Sequence, residues 1–360
     1  MLPPPREREI AETKGGPLLE IDGAYGEGGG QLFRMALALS AVTGQAMRVH
    51  NIRAGRDKPG LAPQHLAGAR AVAAVCEATA DGLELHSQQI SFSPSRLRGG
   101  RYRFEVGTAG SVTLVLQALL PALIAAADDF EVSVTGGTDV RAAPPIDYLA
   151  EVLLAHLARM GAEVEMTIIR RGYYPVGGGE VHVRVRPCRL RPCRVDAAGE
   201  LRKVAGLAHV ARLRPDIATR MRDAALSRLT SPAASAPAIE ERVLADDAAA
   251  GPGGAIVAWA TCVHSVLGAG RVAERGKRAE DLGAAVGDEL RADLESGAGV
   301  DVHAADQLVV YLALAGAGSF TTRTLSSHAR TAMWLIEQFL PLRFATGSRN
   351  GLVHVSVGRR

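Results

Sequence analysis

The stretch LEIDGAYGEGGGQLFRMALAL, residues 19–39, sets out the structural unit from which this chain is built. A short strand ends near Ile21, and a glycine cluster occupies 26–30. A helix follows, because apolar residues then recur at helical spacing. These residues are Leu32, Phe33, Met35, Ala36 and Leu39. The stretch therefore predicts a strand, a glycine turn and a helix with one apolar face.

The same order of elements, β–α–β–α–β–β, is predicted three times along the chain. The first unit continues with strand 47–52, helix 64–78 and strands near 83–93. The second has strand 102–106, helix 109–126, strand 130–135, helix 145–160, and strands 163–169 and 180–186. The third has helix 304–315, strand 318–323, helix 327–339, and strands 342–346 and 351–357. Since each unit buries one helix-covered sheet face against its neighbours, the pattern predicts an α/β (α+β) fold of three repeats of a two-helix, four-stranded unit.

Segment 198–295 departs from this pattern. It predicts a helix near 215–229, an apolar strand at Ala255–Thr261 and a charged helix near 278–295, with the Ala/Ser/Pro stretch SPAASAPA at 231–238 between them. An exposed loop tolerates such an insertion well. We therefore expect a small inserted α/β domain at 198–295, a three-repeat domain at 17–197 and 296–360, and an N-terminal tail at 1–16.

Composition places the chain among globular proteins, with 47% hydrophobic and 22% charged residues over 360 positions. A formal charge of +3 is too small to mark a general nucleic-acid binder. Aromatic residues make up only 4%, which argues against a surface that stacks many bases. Segment 165–196 is rich in arginine, and it is either a phosphate-binding patch or a solvated strand edge.

Nothing in the sequence favours secretion or a membrane. The first residues, MLPPPREREIAETKGG, contain no apolar signal core. Segment 109–127 is apolar but short, and it contains Gln117 and Pro121, so it predicts a buried helix. The four cysteines lack C-x-x-C spacing. A zinc site from Cys188, Cys193, Cys262 and His264 is conceivable, but reduced thiols in a cytoplasmic protein are favoured.

The glycine cluster Gly26–Gly30 is the first motif that suggests chemistry. No Gly-Lys-Ser/Thr follows, which excludes a Walker A loop, and Gln31 replaces the third glycine of a dinucleotide fingerprint. Glycines that lead into a helix still suit a phosphate. Glu27 within such a loop indicates a divalent metal between carboxylate and phosphate. The alternative is a tight strand-to-helix turn.

Two further motifs offer cations and a nucleophile. Arg53, Arg56 and Lys58 lie in a Gly/Pro loop before Gln64, where they can gather around phosphates or simply form an exposed basic loop. His328 begins a predicted helix, which favours its neutral, nucleophilic form. A lone histidine at a helix start is otherwise a capping or surface residue. Asp306 and Gln307, in the first turn of another helix, can meet a nucleotide or its metal.

Taken together, these motifs resemble the RNA 3′-terminal phosphate cyclase family over about residues 18–197 and 296–358. The matching blocks are IDGAYGEGGGQLFR at 21–34, IRAGRDKPGL at 52–61, GTAGSVTLVLQALLPAL at 107–123, GGTDVRAAPPIDYL at 136–149, RGYYPVGGGEV at 171–181, HAADQLVVYLALAGAG at 303–318 and SSHARTAMWLIEQFLP at 326–341. The run RG-x-x-P-x-GGG is the most specific of them. The insert, 198–295, matches the family poorly.

The resemblance implies repeats similar to the C-terminal domain of translation initiation factor 3. It also implies an ATP-dependent enzyme that adenylylates itself on His328 and converts an RNA 3′-phosphate into a 2′,3′-cyclic phosphate. Glu27 is expected to bind the nucleotide and a divalent metal, Mg²⁺ or Mn²⁺. Arg34, Arg53, Arg56 and Gln64 are expected to handle phosphates. The nucleotide is expected to meet Gln117 and the segment His303, Ala304, Ala305, Asp306 and Gln307.

Two rival functions stay open on sequence. One is a catalytically inactive, cyclase-like binding protein of ribosome assembly, which would lack the histidine. The other is an enolpyruvyl transferase, built from similar repeats, which would need neither ATP nor a nucleophilic histidine. An RNA with a 3′-phosphate end is the expected partner, no membrane is expected, and the oligomeric state is left open.

Overall fold

The computed structural model describes residues 18–229 and 236–359. The predicted tail 1–16 lies outside this part of the chain, and so do residues 231–235 of the Ala/Ser/Pro stretch. The described residues form a mixed α/β fold of four-stranded sheets, in which parallel and antiparallel strands are combined.

The first sheet comes from the N-terminal part of the described chain. Its elements are β1 (Leu19–Asp22), α1 (Gly30–Thr43), β2 (Met47–His50), α2 (Pro63–Val75), β3 (Thr79–Asp81) and β4 (Ile90–Ser93). The strand order is β1-β2-β4-β3, with β1 and β2 parallel and the other neighbours antiparallel. The last two strands were predicted near 83–93. β3 lies before that range because α2 already ends at Val75.

The second sheet has the same strand order and pairing. Its elements are β5 (Gly100–Glu105), α3 (Val112–Ala125), β6 (Phe130–Gly136), α4 (Ile146–Tyr148), a π-helical segment (Leu149–Leu153), α5 (Leu154–Arg159), β7 (Glu163–Arg170) and β8 (Gly179–Arg186). Buried and half-buried residues alternate along β6, since successive side chains of a strand point to opposite faces. The predicted bounds agree with these elements, except that the π-helical segment interrupts the predicted helix 145–160.

The inserted segment follows a short strand, β9 (Cys193–Val195). Its elements are β10 (Leu201–Ala211), α6 (Asp216–Arg228), β11 (Ala238–Leu244), β12 (Gly253–Cys262), β13 (Val266–Val272) and α7 (Ala279–Ser296). The strands form their own sheet in the order β11-β10-β12-β13, and α6 and α7 pack on it. The sequence predicted both helices and β12, but not β10, β11 or β13.

The third sheet is completed after the insert. Its remaining elements are α8 (Val302–Leu314), β14 (Gly318–Thr322), α9 (Ser327–Phe339), β15 (Leu342–Arg349) and β16 (Leu352–Arg359). The order β9-β14-β16-β15 equals that of the first two sheets, again with one parallel pair. Segment 198–295 therefore lies between β9, which the sequence analysis did not identify, and α8.

The helices of the three similar sheets pack together in the interior. α1 packs against α2, α3 and α9, and α8 packs against α9. The insert has an apolar cluster of its own, which includes Met221, Ile256, Val286 and Leu290. Helix α3, which was predicted to be buried, is buried over most of its length. Across the described ranges, no helix combines the length and apolar character that a membrane crossing requires.

Candidate active site

A cavity of about 580 Å³ lies where the N-terminal ends of the helices meet. It is lined by residues from the first turns of α1, α2, α3, α4, α8 and α9. The positive end of each helix dipole and its free N–H groups make such a place favourable for anions. The volume is typical of a pocket that binds a small molecule.

Most of the predicted site residues line this one cavity. They are Glu27, Arg34, Arg53, Arg56, Gln64, Gln117, His303, Asp306, Gln307 and His328. Ala304 and Ala305 do not line it: both are fully buried, and their backbone N–H groups are taken up by the helix cap at Asp301.

The glycine loop places Glu27 against two other elements. Gly26 has φ +62°, a conformation that side-chain-bearing residues rarely adopt, and a Cβ there would meet the Thr331 hydroxyl of α9. The Glu27 backbone N–H donates to Thr331 Oγ1 at 3.2 Å. The Glu27 carboxylate forms an ion pair with Arg56, and its Oε2 lies 3.3 Å from His328 Nδ1.

His328 is the second residue of α9, and Ser326 caps that helix. Ser326 Oγ accepts from the Ala329 N–H at 3.0 Å and donates to Asp306 Oδ1 at 2.5 Å. His328 Nδ1 is buried and has no aligned hydrogen bond within the described chain, although Glu27 is near. A buried polar atom without a partner is rare in proteins, and here it indicates contact with a ligand or the transfer of a proton.

The pKa of His328 is lowered, as the sequence predicted, but the main cause differs. Burial lowers it most, Asp306 raises it, and the charges of Arg34 and Arg56 lower it further. The helix terminus that the sequence analysis invoked is not among these causes. Because the pKa lies below its ordinary value, the imidazole is neutral and able to act as a nucleophile at neutral pH.

A polar chain connects the first helices of the three similar sheets. Arg34 on α1 donates to Gln117 Oε1 on α3 at 3.4 Å, and Gln117 Nε2 donates to Gln307 Oε1 on α8 at 2.9 Å. Arg34 is buried, and burial lowers its pKa to about 10, so the guanidinium still carries its charge at neutral pH. Its Nε meets no partner in the described ranges, which leaves one donor for a ligand.

The basic loop after β2 brings two more arginines to the cavity. Arg53 donates to the Gly60 carbonyl at 2.6 Å, and burial lowers its pKa. Gln64, in the first turn of α2, accepts from the Ser111 N–H at 3.3 Å and thereby connects α2 to the loop before α3. Arg53 and Arg56 thus line the cavity, whereas residues 54–58 of the loop are exposed and Lys58 lies outside the lining.

His65 is a cavity residue that the sequence analysis missed. Burial, followed by the charges of Arg34 and Arg53, lowers its pKa to about 3, so it is neutral. Its Nδ1 accepts from the Ala62 N–H at 3.3 Å, which leaves the ring proton on Nε2. That N–H lies beside Gly30, where a Cβ would collide with it. The only sequence signal for His65 is its position in the first turn of α2, next to Gln64.

The cavity has a further wall that was not predicted. The loop between β6 and α4 contributes residues 140–145, and the inserted segment contributes Gly270, Arg271, Val272 and Glu274. Arg141 Nε of the loop lies 3.3 Å from Glu274 of the insert. The loop lies within the matching block at 136–149, whereas the insert offered no sequence signal.

Arg171, the arginine of the run RG-x-x-P-x-GGG, has a structural role. Arg171 is buried and donates through both terminal nitrogens to Asp147, at 2.7 and 2.8 Å, and through Nη1 to Asp139 at 3.2 Å. Nη1 also lies 2.9 Å from His209 Nε2 of the insert, which must accept because a guanidinium only donates. Asp139 and Asp147 bracket the cavity loop, so Arg171 holds both of its ends.

Two of the other arginines of segment 165–196 form ion pairs. Arg184 lies 3.8 Å from Asp129, and Arg186 lies 3.0 Å from Glu165. Arg171 is buried and so is not part of an exposed patch. For the exposed arginines, both interpretations, a phosphate-binding patch and a solvated strand edge, stay predictions.

One group of side chains among the described residues has the spacing of a metal site. Asp139, Asp147 and His209 are close enough together for a metal, but Arg171 Nη1 already occupies that place. The four cysteines are free thiols, and no cluster of cysteine and histidine suited to zinc occurs in the described ranges. In the cavity, the Glu27 carboxylate fits the role of a protein ligand for Mg²⁺, which commonly binds through one or two carboxylates and substrate phosphates.

The sequence is similar to known proteins over most of its length. A sequence model of the family described as RNA 3′-terminal phosphate cyclase matches residues 25–346. A protein of that name from Nitrosospira multiformis is 52% identical over 93% of this chain and 95% of its own length. Another from Methanosarcina barkeri is 43% identical over 94% and 100%, respectively. The chain therefore belongs to the RNA 3′-terminal phosphate cyclase family.

Proposed function

We propose that this protein uses ATP to convert the 3′-phosphate end of an RNA into a 2′,3′-cyclic phosphate, with AMP carried on His328. The observation that carries the proposal is a neutral histidine in an anion-binding cavity, beside Arg34, Arg53 and Arg56. Family membership supplies the substrate. The rival enolpyruvyl transferase would leave His328 without a task.

In the first step, His328 attacks the α-phosphorus of ATP. The Nδ1 atom faces Glu27 at 3.3 Å, so the ring proton is best placed there and the lone pair on Nε2 makes the new N–P bond. The bond to pyrophosphate breaks, and the leaving group takes the electron pair. Glu27 stabilises the positive charge that the ring gains, and the arginines stabilise charge on the phosphates.

Two transfers complete the reaction. An oxygen of the RNA 3′-phosphate attacks the phosphorus of the histidine adenylate, which releases His328 and forms an RNA(3′)pp(5′)A end. The neighbouring 2′-hydroxyl then attacks the 3′-phosphorus, and AMP leaves. Because this last step is intramolecular, alignment of the RNA end supplies much of the rate.

A divalent metal, Mg²⁺ or Mn²⁺, would supply charge neutralisation at the phosphates with Glu27 as its protein ligand.

We expect Glu27→Gln to slow adenylylation by about 100-fold, as for the loss of one preorganised electrostatic contact. Glu20→Gln, an exposed change on β1, serves as the control. The measurement is the rate of protein labelling across a magnesium titration. Equal rates for both variants would remove Glu27 from the site.

The substrate is tested with oligonucleotides that differ only at the 3′ end. We expect a phosphatase-resistant cyclic end from the 3′-phosphate and none from the 3′-hydroxyl. A terminal 2′-deoxy-3′-phosphate should stop at the adenylylated end, because the last nucleophile is missing. Sequence preference should be weak and binding should fall with salt, since arginines contact phosphates rather than bases. Equal turnover of the 3′-hydroxyl end would contradict the proposal.

We also infer that the three sheets of equal strand order are repeats of one unit, similar to the C-terminal domain of translation initiation factor 3. On this view the three-repeat domain comprises 17–197 and 296–360, and 198–295 is an inserted domain. The separate apolar cluster of the insert supports this division. A cytoplasmic location fits the four free thiols.

A further inference from the structure

Behind the wall that the inserted segment contributes to the cavity lies one carboxylate, that of Glu289 on α7. Its Oε2 accepts from Arg271 Nη2 at 2.5 Å, and its Oε1 lies 2.7 Å from His303 Nε2. Arg271 is on β13 of the insert, and His303 is in the first turn of α8. Both line the cavity, whereas Glu289 lies behind them.

The surroundings favour the charged forms of Glu289 and His303. The Glu289 side chain is only 15% exposed, while those of Arg271 and His303 are 38% and 47% exposed. Hydrogen bonding to Glu289 is the largest cause that raises the pKa of His303, and the charge of Asp301 raises it further, whereas burial and Arg271 oppose it. Glu289 thus holds the Arg271 guanidinium and the His303 ring, whose outer atoms are open to a ligand.

Other bonds fix the same junction between the insert and α8. Asp301, which caps α8, accepts from the Gly268 N–H of β13 at 3.0 Å and from the Tyr148 hydroxyl at 2.7 Å. The Tyr148 ring packs edge-on against the His303 ring, with centroids 6.2 Å apart. The end of α8 and β13 therefore form one rigid wall, in which the exposed ends of Arg271 and His303 are held by Glu289 alone among carboxylates of the described residues.

We propose that Glu289 is a positioning residue for ATP, through which the inserted segment completes the nucleotide-binding cavity. The proposal rests on the function proposed above for the identity of the ligand. Glu289 does not touch the nucleotide; it orients the Arg271 guanidinium and favours the protonated form of His303, so that both side chains attract the anionic nucleotide. The insert is then part of the binding site.

The test compares Glu289→Gln with Glu295→Gln, the same chemical change at an exposed position of the same helix. Affinity for the α,β-methylene analogue of ATP is measured by calorimetry on the full chain. We expect Glu289→Gln to weaken binding about tenfold, since it removes the charge from two hydrogen bonds, and Glu295→Gln to leave it unchanged. Adenylylation kinetics should show a raised KM for ATP with kcat changed less than about twofold.

Dependence on pH gives a readout that a merely structural role would not move. In the wild type, the raised pKa of His303 keeps the ring protonated, and binding strong, up to a higher pH. In Glu289→Gln, affinity should begin to fall at a lower pH, because the remaining carboxylates, Asp301, Asp293 and Asp306, favour the protonated ring without the hydrogen bond that Glu289 supplies. His303→Asn should weaken binding and abolish this pH dependence.

Each outcome is decisive. Weaker, pH-shifted binding by Glu289→Gln at an unchanged thermal midpoint supports the proposal. Equal affinity of Glu289→Gln, Glu295→Gln and the wild type overturns it and leaves the proposed function intact. If Glu289→Gln lowers the midpoint, Arg271→Gln provides the same comparison, and unchanged affinity there overturns the proposal. Failure of the wild type to bind the analogue overturns the proposed function and this inference together.

Discussion

His328→Ala is expected to abolish self-adenylylation. Because Nε2 of this imidazole forms the only bond between protein and AMP in the proposed pathway, no other group can substitute for it without a new geometry. The side chain is 42% exposed, so its removal should leave folding almost unchanged. Labelling with ATP carrying radioactive phosphorus at the α position measures the effect.

The control for this variant is His182→Ala, which removes an imidazole from the exposed part of β8. It should label like the wild type. The adduct of the wild type should be labile in acid and stable in alkali, as expected for a phosphorus–nitrogen bond. Undiminished labelling of His328→Ala, or AMP mapped to a lysine by mass spectrometry, would show that the nucleophile is wrong.

Arg171→Ala should produce a large loss of stability. It leaves Asp139 and Asp147 buried without their shared cation, and breaking a buried charge pair costs about 3–5 kcal/mol. Burial alone would raise the pKa of Asp147, but the hydrogen bonds and charge of Arg171 help to bring it below its ordinary value. A loss of this size is a large part of the total stability of an ordinary domain.

The matched control is Arg170→Ala, one residue earlier and exposed, whose side chain donates to the Gly178 carbonyl at 3.0 Å. Urea unfolding measures both variants. Arg171→Lys should rescue little, because lysine cannot reproduce the two parallel bonds to Asp147. A change below about 1 kcal/mol for Arg171→Ala, comparable to one ordinary hydrogen bond, would mean that the network is not a structural clamp.

Much of the fold follows from patterns that the sequence displays openly. Apolar residues at helical spacing located α1, and a long apolar run located α3. The short strand β9 was not predicted because three residues are too few to show alternation of apolar and polar side chains. Its partner strand β14 follows only after the whole insert. β10 was not predicted because it contains Gly206, three alanines and a histidine, which have low strand propensity. Its central position in the insert sheet nevertheless buries it.

The site was predictable where its residues stand in glycine-rich or charged blocks of the sequence. His328, Glu27 and the arginines of the basic loop were found that way, and the cavity brings them together. Arg171 was misplaced because sequence counts charges but not burial. Arg271 and Glu289 could not be found, since their role depends on how the insert sheet lies against α8, a long-range contact that no local pattern encodes.

A pulse-chase measurement tests directly whether AMP on His328 is an intermediate of the reaction. The wild-type protein is labelled with α-radioactive ATP, freed of nucleotide, and mixed with RNA ending in a 3′-phosphate. We expect the label to leave His328 and to be released as AMP, one molecule for each cyclic end formed. An adduct that is stable to this RNA, or that decays equally fast with a 3′-hydroxyl end, would contradict it.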